Sequence, residues 1–145
     1  LGSLCLGKNV GYNFIMDLEE AIKLWCTVDP YRDYPCSTIA WRLLPASHHG
    51  RLRHYWDCDR YVGFVSWAFL SSDEYMTNSY DGLEIFARTG GDRLVIIDMI
   101  ANGGSSDVRV ISRDLRRFFY LCYPDYGVVW SHRGDRYGWY KNRGP

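Results

Sequence analysis

The sequence predicts one α/β domain, a mixed β-sheet flanked by helices. Three observations lead there. Helical and strand-like stretches follow one another in the order helix, helix, strand, strand, helix, strand, helix, strand, strand, which suits helices layered on a sheet. The length, 145 residues, is enough for one core, burying roughly 68–70% of the surface that the unfolded chain exposes. No repeat, linker or low-complexity stretch divides the chain, so residues 4–145 read as a single domain, and residues 1–3 as the remnant of a cleaved expression tag.

Each element has its own signal. A first helix is expected from Asp17, because Asp17 and Glu20 have capping-box spacing and Leu18, Ala21, Ile22 and Trp25 then share a face. It should stop near Asp29-Pro30, since proline disfavours helical geometry in its predecessor. A second helix is expected from Pro35 through Ile39, Ala40 and Leu43, ending before Pro45. His48-His49-Gly50 reads as a loop. Strands over 52–56 and 61–70, joined by Asp57-Cys58-Asp59, make an antiparallel hairpin, and a short helix is placed at 83–87. Thr89-Gly90-Gly91 closes that segment and leads into the strand LVIIDMI. After Gly103-Gly104 a helix over 105–122 points Val108, Ile111, Leu115, Phe118 and Phe119 inward and Arg109, Arg113, Arg116 and Arg117 mostly outward. Pro124 stops it, and strands at 128–131 and 137–141 finish the domain.

Composition excludes several classes of function. Basic and acidic side chains balance at 17 each, so no global field draws in nucleic acid or an anionic membrane. The five cysteines are odd in number, widely spaced and without a CxxC pair, which points to reduced thiols in the cytoplasm. No apolar run approaches the roughly 18 residues of a bilayer span. The 6 Trp, 12 Tyr and 6 Phe can fill a core or line a slot for an apolar ligand.

One residue breaks the pattern. Asp98 sits inside Leu94, Val95, Ile96, Ile97, Met99 and Ile100, and a carboxylate there is costly unless it is paired or put to use. Two readings stand side by side: a structural ion pair with Arg93 or another arginine, or a reactive group at a sheet opening.

A set of motifs favours the second. Leu24-Trp25, Tyr31-Arg32-Asp33-Tyr34-Pro35, Leu44-Pro45-Ala46 with Gly50, Ser66-Trp67-Ala68 with Leu70, and Gly91-Asp92-Arg93 followed by Ile97-Asp98 and Ile100-Ala101 occur in this order. Together they resemble the toxin-activating lysine acyltransferases, which fatty-acylate lysines of RTX protoxins, over roughly residues 18 to 140. The resemblance implies a fold like that of the Gcn5-related acetyltransferases, with a mostly antiparallel mixed sheet. It also implies transfer of an acyl chain from acyl carrier protein to a protein lysine, with no tightly bound cofactor, and leaves a homodimer open.

The family's essential histidine and aspartate fall on Tyr31 and Asp98, so these are the candidate catalytic residues. A phenol with a pKa near 10 is a poor base where an imidazole near 6.5 is a good one. Tyr31 therefore suits donation of a hydrogen bond. The base would be Asp98 or a nearby histidine, or the reaction has been lost. His48, His49 and His54 are the auxiliary candidates, with a solvated loop as the plainer reading. No zinc-ligand spacing is present, so no metal is expected.

Arg32, Ser66, Trp67, Arg93, Gly104 and Arg133 are the candidate substrate- or donor-binding residues. The chain has no glutamine. Neither Arg60 to Gly63 nor Arg88 to Gly91 completes the loop that binds coenzyme A pyrophosphate in related enzymes, which favours a carrier-protein donor. Gly103-Gly104-Ser105-Ser106 is the best remaining phosphate-accepting turn. The helix arginines offer a stripe for an acidic carrier, or an ordinary solvated face balanced by Asp107 and Asp114. A non-catalytic inhibitor or adaptor on the same fold, encoded by a phage or mobile element, is the alternative function.

Overall fold

The computed structural model describes residues 14–71, 83–132 and 136–141. Its helices are α1 (Phe14–Trp25), α2 (Cys36–Thr38), α3 (Leu44–His48) and α4 (Ser105–Cys122). Its strands are β1 (Leu52–Asp57), β2 (Arg60–Leu70), β3 (Arg93–Ala101), β4 (Gly127–His132) and β5 (Arg136–Lys141). The five strands form one sheet in chain order; β3 and β4 pair in parallel and every other neighbouring pair is antiparallel. The parallel pair needs a crossover, and α4 provides it. This is the mixed, mostly antiparallel sheet with flanking helices of a Gcn5-related acetyltransferase-like fold.

Two apolar layers sandwich the sheet. Ile111, Leu115 and Phe119 of α4 pack with Tyr55, Val65, Trp67, Phe69 and Leu94 on one face. Ala21, Leu24 and Trp25 of α1 pack with Leu43, Phe64 and Ile100 on the other, continued by Ala46, Ala68, Leu70 and Val95. The side-chain period of two on β2 sends Val65, Trp67 and Phe69 to α4 and Phe64, Ala68 and Leu70 to the opposite layer. Burial of these residues at about 25 cal/mol per Å² is the main favourable contribution to folding. Gly91 lies so close to the Phe69 and Leu70 backbone that a Cβ would collide with it, which gives the Gly91-Asp92-Arg93 motif a packing reason.

Three details differ from the sequence-based expectation. The first helix is already formed at Phe14, the first described residue, and Asp17 is not its cap: its buried carboxylate accepts a hydrogen bond from Trp56 Nε1 at 2.8 Å, tying α1 to β1. The second helix does not stop before Pro45. Between α2 and α3 the chain widens into a π-turn, Ile39–Leu43, and runs through Pro45 to His48. Proline has no N–H for the α-helical bond to the carbonyl four residues back, and here Leu44 N–H instead reaches Ile39 O. Val108 is exposed rather than inward, lying one residue beyond the buried Asp107 at the start of α4.

Candidate active site

β3 carries Asp98 across the middle of the sheet. Antiparallel pairing runs from Gly63 opposite Ala101 to Ser66 opposite Asp98, then resumes with Trp67 opposite Ile96, leaving Ile97 as an extra residue. This β-bulge changes the phase of the strand. Leu94, Ile96, Met99 and Ala101 all pack toward α4, and simple alternation would send Asp98 there too. With the bulge, Asp98 lies instead on the α1 side, where Arg42 and Tyr31 are its partners. Its backbone N–H donates to Ser66 Oγ at 3.1 Å. On the other edge of β3, the described parallel pairing with β4 runs from Arg93 opposite Gly127 to Ile96 opposite Trp130 and ends beside the bulge.

The Asp98 side chain is 1% exposed and its ion partner, Arg42, is 27% exposed. Arg42 Nε donates to Oδ2 at 3.1 Å and Nη2 to Oδ1 at 2.6 Å, a two-point grip on both carboxylate oxygens. Arg42 lies in the π-turn, and its guanidinium stands 6.0 Å from the centre of the Trp25 ring. Tyr31, in a single 3₁₀ turn (Tyr31–Asp33), packs edge-on against the same ring at 4.7 Å and directs its phenol toward Asp98. Trp25 therefore braces both groups that face the carboxylate.

Electrostatics follows the burial. Desolvation pushes the Asp98 carboxyl up from its usual range, while Arg42 and Tyr31 pull it back. Burial and then the Asp98 charge push the Tyr31 phenol well above its ordinary value, so it stays protonated throughout the physiological range. Arg42 stays charged.

Of the residues singled out from the sequence, Tyr31, Ser66 and Asp98 come together. The others lie elsewhere. Trp67 is on the opposite face, buried against Phe118, Phe119 and Tyr123. Arg93, at the start of β3, pairs with Asp92 rather than Asp98. Arg32 is exposed and pairs with Asp29 at 2.6 Å. Gly104 immediately precedes α4, where Gly103 N–H already donates to Asp107 Oδ2 at 2.7 Å and Asp107 is gripped by Arg60. That carboxylate occupies the turn where a phosphate was expected. His48 and His49 are exposed beside one another at the end of α3. His54 is turned to Tyr61, with Nδ1 2.7 Å from the phenol oxygen, and burial lowers its pKa to about 4. Arg133 lies outside the described residues, as do residues 1–3.

Arg42 was missed in the sequence. The general possibility of an arginine partner for Asp98 was legible, but Arg93 was the nearer candidate, and a helix ending before Pro45 gave no reason to single out Arg42.

The RTX toxin acyltransferase family model matches residues 12–132, which include Tyr31, Arg42, Ser66 and Asp98. No curated protein matched the chain.

Proposed function

The chain belongs to the RTX toxin acyltransferase family, and on that footing we propose that it moves a fatty acyl group from acyl carrier protein to the ε-amine of a lysine in a protein acceptor, in the cytoplasm and with no tightly bound cofactor. The observation that carries this reading is the meeting of Tyr31 with Asp98 on the bulged part of β3, just past the described parallel pairing with β4. These are the two positions at which the resemblance places the catalytic pair. Two further features suit the substrates. Trp41 and Leu44, on either side of Arg42 in the chain, leave roughly half of their surface in solvent, as apolar ground for an alkyl chain. Arg109, Arg113, Arg116 and Arg117 are exposed on α4 and suit an acidic carrier.

Acyl transfer forms a C–N bond and breaks a C–S bond. The lysine nitrogen attacks the thioester carbonyl as a free amine, the carbonyl oxygen gains charge, and the carrier thiolate departs as the nitrogen loses its proton. Incubation with acyl carrier protein loaded with a medium or long chain, together with candidate acceptors, is expected to add the mass of one acyl group to an acceptor. Asp98→Ala is expected to abolish that addition. Absence of transfer to every acceptor tested would count against the reading.

A second reading, a non-catalytic inhibitor or adaptor on the same fold, draws on one observation: Arg42 already holds both Asp98 oxygens, and Tyr31 stands where the family has histidine. Tyr31→His discriminates. Activity created where none existed marks a fold that has lost its reaction; activity abolished marks Tyr31 as part of a different mechanism.

A further inference from the structure

A carboxylate serves as a general base only through a lone pair aimed at the proton it takes. Asp98 has little to offer: Oδ2 receives Arg42 Nε–H, Oδ1 receives Arg42 Nη2–H, and the phenol of Tyr31 faces the same group, which is buried. Tyr31 has one hydroxyl proton and directs it at Asp98. Arg42 is different. A guanidinium carries five N–H groups. Two go to Asp98, and the other three, on Nη1 and Nη2, have no partner among the described residues. The side chain that carries them reaches solvent. It is also held still, by Asp98 behind it and the Trp25 ring beneath it.

We propose that Arg42 is the group that meets the reacting carbonyl, donating hydrogen bonds to the thioester oxygen as it becomes an oxyanion, and that Asp98 and Tyr31 are positioning residues that lock the guanidinium. This rests on the acyl-transfer reading above. The amine arrives neutral, having left its proton in solvent. Its nitrogen bonds to the carbonyl carbon, the carbonyl electron pair moves onto the oxygen beside Arg42, and collapse of the adduct expels the carrier thiolate. The surplus proton on nitrogen passes, directly or through water, to that thiolate, giving an amide and a free thiol. A fixed donor aimed at charge that appears only in the transition state lowers the barrier without tightening ground-state binding.

The test has a kinetic arm and a binding arm. With palmitoyl-loaded acyl carrier protein and a peptide bearing one lysine, Arg42→Lys keeps the positive charge but cannot hold both Asp98 oxygens and still face outward. Its kcat is expected to fall about 10²-fold while KM stays within about threefold. The wild-type rate is expected to climb with pH alongside the free amine, whose pKa is about 10.4, with no step near 6.5. In the binding arm, a hexadecyl phosphonate monoester, anionic and tetrahedral like the adduct, is expected to bind at least about tenfold tighter than the neutral hexadecanamide, a preference lost in Arg42→Lys and Asp98→Asn.

Unchanged kcat in Arg42→Lys, a step in the wild-type rate between pH 6 and 7.5, or no preference for the phosphonate would each overturn the inference. A phosphonate preference in a protein that acylates nothing would sink the acyl-transfer reading and leave Arg42 as an oxyanion-binding residue. The two failures are thereby distinguishable.

Discussion

Each face of the sheet holds a tyrosine, an aspartate and an arginine in contact. On the α1 face these are Tyr31, Asp98 and Arg42; on the α4 face they are Tyr55, Asp114 and Arg53, and Tyr55 is likewise pushed above its ordinary pKa, first by burial and then by the Asp114 charge. The residue types match and the backbones do not. Asp114 comes from a helix, where its side chain keeps 17% of its surface in water, and one contact of 3.2 Å joins it to Arg53. Arg53 spreads over the rings of Phe118 at 4.2 Å and Tyr55 at 5.5 Å, which makes the cluster a tie between β1 and α4. Asp98 comes from a bulged strand, is almost without exposure and is gripped at two points. A strand interior ordinarily hosts no charge. Residue type alone therefore does not mark a site; the element that pays to bury the charge does.

The sharpest way to break this contrast is to remove each arginine. Arg42→Ala strands a buried carboxylate and is expected to cost about 3–5 kcal/mol at pH 8, read as a fall in the urea midpoint, whereas Arg53→Ala should cost about 1 kcal/mol plus its lost ring packing. The Arg42→Ala deficit should shrink in acid, where Asp98, already pushed upward by burial, takes up a proton. Equal costs for the two variants would erase the distinction.

The α1 face should also account for acid sensitivity. His54, between Arg53 and Tyr55 on β1, has a folded-state pKa lowered to about 4, against about 6.5 when unfolded. Its contribution is fully present above pH 6.5 and is lost as pH falls from there to 4, amounting to about 2–3 kcal/mol. His54→Gln should flatten that part of the curve of urea midpoint against pH; an unchanged slope would assign the sensitivity elsewhere.

Ser66→Ala is expected to cost about 1–2 kcal/mol, because the Asp98 N–H would lose its acceptor inside the bulge. A change below about 0.3 kcal/mol would mean that the strand straightens without it. The smallest effect is expected at Asp114→Asn, about 0.5–1 kcal/mol, with acyl transfer unchanged.

The contrast also shows what the sequence can reveal. The hairpin, the short 83–87 turn and α4 were legible almost to the residue, because periodicity, Gly-rich breaks and Pro124 are local signals. Asp98 was legible because a carboxylate among Ile and Val side chains has no bland explanation. Arg42 was not, because its meaning depends on a π-turn that no local signal in the sequence marks. Trp67 was assigned to the site from a motif shared with Ser66, although adjacent strand residues point to opposite faces. The bulge at Ile97, which aims Asp98, is a property of how β2 and β3 align and leaves no mark in either strand alone.

The widened turn at Ile39–Leu43 also makes chain length there a constraint in its own right. One helical residue corresponds to about 100° of rotation, so excising Ala40 would let the coil close to its common pitch while swinging everything before the cut away from everything after it. Tyr31 and Arg42 lie on the two sides of that cut and face the same acid with the surplus residue in place. Substitutions in the segment that keep its count are thus expected to be tolerated better than a single deletion.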